Sequence, residues 1–201
     1  MDLTQKYPDY YAASDSPEII ILENAHYLSI LGKGSPGTDI FYEKKSAIKS
    51  FMAKLQSQVE ATDKEFKSSI IEIFYWHDKK EGFVDIGNFY TTLSLDLLNY
   101  RIVMRIPENI TQKDISETAE NSPFIPLANE FERFSYATRK CVQLMHSGPF
   151  IDELRTLPLL QKFATDKGLV NVGMHHEIHI TPFEKGQDQT HLKTILRDAV
   201  N

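Results

Sequence analysis

The chain lacks most of the features that mark disulfide-rich, secreted and membrane proteins. It has one cysteine, Cys141, in 201 residues, so it cannot form an intrachain disulfide and it fits a reducing compartment. Its first apolar run, residues 19–22, is far too short for a signal peptide or a membrane span. These absences predict a cytoplasmic protein that does not contact a membrane.

A surplus of positive charge is also absent. The sequence carries 22 Lys and Arg against 28 Asp and Glu, a formal net charge of −6. Proteins that bind nucleic acid generally carry a basic surplus that neutralises phosphates. The charge balance therefore predicts no nucleic-acid partner and suits a cationic or neutral ligand. With 41% hydrophobic residues, the composition is that of an ordinary globular protein, and the length is ample for a sizeable core.

The two halves of the chain show the same order of predicted elements: a strand, a loop rich in glycine or proline, a helix and two further strands. In the first half these are a strand at 19–31, a helix at 42–59 and strands at 69–77 and 100–106. In the second half they are a strand at 141–146, a helix through 157–164 and strands at 175–181 and 193–197. The repeated order indicates an internal duplication.

Two helices have recognisable boundary residues. Thr111, three residues before Asp114, is the predicted N-cap of a short helix in the connector between the halves. In the second-half helix, Gly168 is the predicted C′ residue. Pro158 is compatible with that helix only if it lies in the first turn.

The duplication predicts the fold class. We expect one domain over residues 1–201, with repeat one at about 19–107, a connector at about 108–126 and repeat two at about 127–200. Each βαββ unit buries one sheet face under its helix, so two units can bring their bare faces together. The predicted fold is α+β: tandem pseudo-twofold βαββ repeats that form a curved antiparallel sheet groove, with the helices on the outer face.

Alternation along the strands predicts where carboxylates point. In the strand 175–181, Ile178 shares a face with Ile180, while His175 and Glu177 share the other. Because the isoleucines belong under a helix, we expect Glu177 to point into the groove. A carboxylate among apolar groups resists ionisation until it meets a cation or a hydrogen-bond donor. Glu177 therefore suits a ligand anchor or a general base, with a solvated surface position as the alternative.

The same reasoning applied to the first half gives a second carboxylate and its neighbours. Glu72, Phe74 and Trp76 share one face of their strand, and Tyr75 lies on the other. We expect Glu72 to be placed like Glu177. Tyr75, Trp76 and Tyr100 could line a pocket for flat organic molecules, although most aromatic residues simply fill cores. We treat His146, at a strand end before Gly148-Pro149, as a residue that either borders the groove or closes the turn.

Two apparent motifs are weak. Residues 32–37 satisfy the GxGxxG pattern, but that fingerprint needs a helix at its third glycine within a parallel βαβ unit, and here we expect a turn. His175, His176 and His179 suggest a metal site. Residues four apart in a strand are separated by ~13 Å, too far for the outer two to share one ion. We therefore predict no metal and no cofactor.

Four segments carry a resemblance to a known family: YPDYYAASDSPEIIILENAHYLSILGKGSP near the start, CVQLMHSGPF, HHEIHIT and the ending LKTILRDAV. From about Tyr7 to Val200 the chain resembles the GyrI-like small-molecule-binding proteins of the effector-binding superfamily, and within them the stand-alone branch. The resemblance implies a tandem βαββ fold with a ligand groove, and it places the family's central acidic residue on Glu177. The family's paired tryptophans correspond to Tyr75-Trp76, and a tyrosine after Gly-Pro corresponds to Phe150, which has no hydroxyl.

The resemblance implies three hypotheses. The first is a non-enzymatic binder of a hydrophobic or cationic small molecule, with Glu177 as anchor. The second is a hydrolase that opens the cyclopropane ring of DNA-alkylating compounds, with Glu177 assisting water while Trp76 and Tyr75 stack on the substrate. The third is a protein-interaction module, as in members that inhibit a topoisomerase, although no long acidic block supports it.

Overall fold

The computed structural model describes residues 1–201 and has an α+β architecture of eight strands and four α-helices. The helices are α1 (Leu3–Lys6), α2 (Asp39–Gln58), α3 (Gln112–Glu120) and α4 (Glu153–Asp166). The strands are β1 (Glu18–Leu22), β2 (Ala25–Lys33), β3 (Ile71–Trp76), β4 (Asn99–Ile106), β5 (Glu132–Tyr136), β6 (Arg139–Ser147), β7 (Asn171–His179) and β8 (Lys193–Val200). None of the helices has the length and apolar character needed to cross a bilayer.

All eight strands form one antiparallel sheet in the order β1-β6-β8-β7-β3-β4-β2-β5. Equivalent strands of the two halves follow in the same order from either edge of the sheet. The halves meet where β3 pairs with β7, with Ile73 opposite Glu177. The expectation that two bare sheet faces meet is therefore wrong, because the halves join edge to edge. This junction satisfies the backbone groups of two strands that would otherwise be exposed edges.

The strand expected at 19–31 is in fact two strands, interrupted at the exposed pair Glu23-Asn24. β1 pairs with β6 of the second half, and β5, which was not predicted, pairs with β2 of the first half. The first strand of each half therefore pairs with a strand of the other half. This exchange completes the sheet symmetrically at both outer edges.

Helices α2 and α4 pack on one face of the sheet over the larger hydrophobic core. From α2 the core receives Ile48, Phe51 and Leu55, and from α4 it receives Leu157 and Leu160, all of them at most 1% exposed. Residues three and four apart form each buried stripe, as the periodicity predicts.

The predicted helix boundaries are confirmed at two places and corrected at one. Thr111 caps α3 in a capping box with Asp114. Gly168 follows α4 with a φ of +68°, and the Leu169 amide donates to the Ala164 carbonyl at 2.9 Å, which is a Schellman closure. Pro158, however, lies inside α4 rather than in its first turn. The helix tolerates it because the Leu154 carbonyl, which loses its partner, belongs to a residue exposed to solvent.

The GxGxxG segment is a turn with local reasons for its glycines. Gly34 and Gly37 have φ values of +106° and +88°, which favour glycine. Gly32 lies opposite Tyr100, and a Cβ at this position would sit 2.1 Å from the tyrosine ring. Helix α2 begins at Asp39, earlier than expected, but the strands around it are antiparallel. The segment therefore does not form the parallel unit that dinucleotide binding requires.

Candidate functional site

A cavity of about 420 Å³ opens on the helix-bearing face, above the junction of β3 and β7 and between α2 and the start of α4. Its lining includes six aromatic side chains, those of Phe41, Tyr42, Tyr75, Tyr90, Phe150 and Phe183. The edge-to-edge junction therefore creates the site, because it brings the starts of two symmetry-related helices over the centre of the sheet. A cavity with these walls suits a flat organic molecule.

Glu177 lies on the floor of this cavity and is 4% exposed. The Tyr90 hydroxyl donates a short hydrogen bond to its Oε1, and His179 Nε2 lies 3.1 Å from its Oε2. His175 Nε2 is 3.8 Å from Oε1. Burial alone raises the pKa of Glu177, but the interactions with His175 and His179 outweigh burial and hold the pKa well below its usual range. Glu177 is therefore an ionised carboxylate within an apolar cavity.

His175 supplies the positive charge behind this carboxylate. Its Nδ1 lies 3.0 Å from Asp198 Oδ2, and its ring is fully buried. Burial opposes the charged imidazole, but Asp198 and Glu177 outweigh it and raise the pKa of His175 to about 10. The row Asp198–His175–Glu177 thus alternates negative, positive and negative charge, which fixes the orientation of Glu177 from below.

A second carboxyl group in the cavity has the opposite protonation preference. Glu153, the first residue of α4, is 3% exposed, and its Oε1 has no hydrogen-bond partner. Burial raises its pKa well above the usual range, and the negative charge of Glu177 raises it further. At neutral pH the cavity therefore contains one carboxylate and one protonated carboxyl group, the arrangement of a base beside an acid.

Three of the residues predicted for the site line the cavity: Glu177, Tyr75 and Phe150. The Phe150 ring packs against His179 at 5.2 Å between centroids. His175 does not line the cavity and acts through Glu177. The prediction placed Glu177 on the sheet face away from the helices. In the structure Glu177 lies on the face of β7 that the helices cover, and the cavity is on that face. Ile178, expected under a helix, packs on the opposite face with Tyr10 and Ile195.

The prediction that Glu72, Phe74 and Trp76 lie in the same groove as Glu177 is wrong. Glu72 pairs across strands with Ile178, so alternation puts it on the face opposite Glu177. Phe74 stacks on His176 at 4.0 Å on that same face. Trp76 lines a separate cavity at the end of β3. Register decides these positions, because Glu177 is opposite Ile73 rather than Glu72.

Glu72 is instead the centre of a buried polar cluster beneath the N-terminal segment. It accepts a hydrogen bond from the Tyr10 hydroxyl at 2.5 Å and lies 2.8 Å from His176 Nε2. Burial raises the pKa of Glu72 to about 7, although the Tyr10 hydrogen bond and Arg105 lower it. The sequence alone did not indicate that Tyr10 would cover this face of the sheet.

Tyr100 and His146 support the structure from outside the cavity. Tyr100 is buried, and its ring packs behind the cavity wall against Phe41 at 5.2 Å. His146 is held between the Thr156 hydroxyl at 2.9 Å and the Pro149 carbonyl at 3.0 Å. It therefore closes the turn before α4, which was one of its two expected roles.

The histidine cluster is divided between the two faces of β7, with His176 on one face and His175 and His179 on the other. The structure contains no group of three or more His, Cys, Asp or Glu residues that could hold a metal ion.

The sequence analysis did not assign several polar residues to the site, among them Tyr90, Glu153 and Lys45. Tyr90 lies in the long β3–β4 connection, which gives no periodic signal. Glu153 looks like an ordinary acidic residue in the first turn of a helix, and Lys45 looks like an ordinary surface lysine of a helix. Glu153 and Lys45 are buried, and Tyr90 is partly buried, only because distant elements pack over them, so no local pattern could have identified them.

Neither a protein-family model nor a curated protein matches this sequence. Among solved structures, an uncharacterized conserved protein from Listeria innocua is 22% identical with a TM-score of 0.81, and all of both chains is covered. A hydrolase from Listeria innocua is likewise 22% identical over all of both chains, with a TM-score of 0.80. The chain therefore shares its whole fold with these two proteins.

The C-terminal domain of EcmrR has the same fold at greater distance. It is 13% identical, with a TM-score of 0.55, over 92% of this chain and 97% of that domain. EcmrR in a complex with DNA is also similar, at 11% identity and a TM-score of 0.56, over 99% of this chain and 62% of that chain. Since this fold occurs in a DNA-bound protein, the exclusion of a nucleic-acid partner from net charge is not supported.

Proposed function

We propose that this protein binds a hydrophobic, aromatic small molecule in the cavity between α2 and α4. The observation that carries the proposal is the ionised Glu177 on the floor of an aromatic cavity of about 420 Å³. Burial of rings against Tyr75 and Phe150 would supply most of the affinity. Glu177 would accept a hydrogen bond from a donor group of the ligand, neutral or cationic. The resemblance to GyrI-like small-molecule-binding proteins supports the same assignment.

Binding is tested with a panel of aromatic compounds in which each cationic compound has a neutral counterpart of the same shape. Glu177→Gln removes the acceptor charge, and we expect it to weaken binding by about 1.5–3 kcal/mol, the worth of a charge-assisted hydrogen bond. That loss corresponds to roughly a tenfold to hundredfold rise in Kd, measurable by titration calorimetry.

Glu72→Gln is the matched control, since Glu72 is equally buried but lies on the opposite face of the sheet. Because Glu72 does not line the cavity, this variant should leave ligand affinity unchanged. Equal affinity losses in the two variants would contradict binding at Glu177. So would the failure of every panel compound to bind the wild-type protein.

We infer hydrolysis of the bound molecule as a second candidate function, favoured by the pairing of ionised Glu177 with protonated Glu153. The full-length likeness to a Listeria innocua hydrolase is consistent with it. Glu177 would take a proton from water, and the oxygen would bond to a carbon of a strained ring. The ring bond would break, its electron pair would pass into the conjugated system, and Glu153 would supply the proton. The product gains one water.

Turnover is followed by mass spectrometry as the addition of one water to a cyclopropane-bearing substrate. We expect Glu153→Gln to lower turnover about 10²–10⁴-fold while binding persists, because only the proton donor is lost. In the wild type, turnover should fall as pH rises through the raised pKa of Glu153, since the acid is then deprotonated. Release of the substrate unchanged by wild-type protein would rule out this second function and leave binding intact.

A further inference from the structure

Helix α2 carries the two buried lysines of the chain, and they differ in how their charge is satisfied. Lys44 forms an ion pair with Glu130 at 2.9 Å. Lys45 is 3% exposed, yet it has no carboxylate oxygen within 4.0 Å. Its Nζ donates one hydrogen bond, to the Phe183 carbonyl at 3.2 Å. A buried amine without an ion-pair partner is costly as a cation, so its retention here needs an explanation.

The surroundings of Lys45 favour a reactive amine. Its Nζ lies 5.6 Å from the ring centroids of both Tyr42 and Phe183, and the residue lines the cavity. Burial, with a smaller contribution from the nearby Lys49, lowers the pKa of Lys45 to about 8 against the raising influence of Glu184 and Glu177. A much larger fraction of Lys45 than of an exposed lysine is therefore unprotonated at neutral pH.

The cavity also holds the other groups that imine chemistry uses. Glu153, protonated, and Glu177, ionised, line the same space as Lys45. We propose that Lys45 is a nucleophile that forms a reversible imine with the aldehyde or ketone group of an aromatic ligand bound in this cavity. This inference rests on the proposed function, because the cavity must first bind the ligand.

The reaction balances with the groups present. The nitrogen lone pair of Lys45 attacks the carbonyl carbon, a C–N bond forms, and the C=O π pair moves to oxygen. Glu177 accepts a proton from the nitrogen and passes it to the alkoxide oxygen, which gives the carbinolamine. Glu153 then protonates the carbinolamine hydroxyl, the C–O bond breaks, water leaves, and the C=N double bond forms. Once water has left, Glu153 takes back the remaining proton from the nitrogen of the protonated imine. The net change is the loss of one water, and hydrolysis returns the free lysine and carbonyl compound.

The test uses 2-naphthaldehyde with sodium cyanoborohydride, which reduces the imine to a stable amine, followed by peptide mapping. At pH 7 we expect modification of Lys45 to exceed that of any other lysine by about tenfold. Excess 2-naphthalenemethanol, which fits the same space but has no carbonyl group, should suppress this adduct. Lys45→Arg keeps a positive charge and should abolish the adduct. Lys54→Arg, on the same helix but away from the cavity, should leave the Lys45 adduct unchanged.

Calorimetry without the reductant separates the possible failures. If the naphthyl compounds bind but Lys45 is not labelled, or all lysines are labelled equally, the inference is overturned and the proposed function stands. If no naphthyl compound binds and Lys45 is not labelled, both proposals fail for this class of ligand. Selective labelling of Lys45 that the alcohol suppresses supports both.

Discussion

At the scale of single residues, two buried glutamates on neighbouring strands differ in protonation because different groups surround them. Glu177 is next to the positively charged His175, which Asp198 holds in place, so its pKa lies well below the usual range. Glu72 is fully buried, and burial raises its pKa to about 7 even though the hydrogen bond from Tyr10 lowers it. Alternation along β3 and β7 separates the two onto opposite faces. Residue type therefore identified the carboxylates, but their contacts decided their chemistry.

Gly32 illustrates a residue whose role is purely steric. We expect Gly32→Ala to lower the free energy of unfolding by about 1–3 kcal/mol, because its Cβ would overlap the buried Tyr100 ring. Urea denaturation measures the effect. The double variant Gly32→Ala, Tyr100→Leu removes the overlapping atoms, so its loss should be smaller than the sum of the two single losses. Strictly additive losses would contradict the steric explanation.

At the scale of elements, the local signals were strongest where a segment interacts with itself. The Thr111 capping box and the glycine after α4 were predicted because a helix end must satisfy its own backbone groups. The division of 19–31 into β1 and β2 was not predicted, because the two strands pair with β6 and β4, far apart in the sequence. Pro158 was misplaced for a similar reason, since solvent exposure of the preceding turn decides whether α4 can continue through it.

At the scale of the whole molecule, the Glu72 cluster links stability to pH. Glu72 has a raised pKa in the folded state, so its contribution is fully present below about pH 4.5 and is lost as pH rises through about 7. Burial and the charges of Arg197 and Arg139 hold the pKa of His176 well below its usual range. Its contribution is therefore lost as pH falls below about 6.5. The two effects oppose each other across mildly acidic pH.

Glu72→Gln removes the contribution of Glu72 to the pH dependence of stability and leaves that of His176. Relative to wild type, the variant should gain stability as pH rises from about 4.5 to about 7, by about 1–3 kcal/mol in total. Urea denaturation of both proteins at several pH values in this window gives the difference directly. A difference that stays constant with pH would show that the carboxyl group at Glu72 is not protonated in the folded protein.

The sequence by itself determined the α+β class, the duplicated order of elements, two helix ends and the sharing of one strand face by His175 and Glu177. These properties follow from backbone geometry and from neighbours a few residues away. Only the tertiary structure decided which face the helices cover, that the halves join edge to edge, and that Glu153 and Lys45 meet Glu177 in one cavity. Tyr90, which hydrogen-bonds Glu177, is 87 residues from it along the chain. Protonation and reactivity arise from such long-range contacts, because burial and neighbouring charge set the pKa of each group.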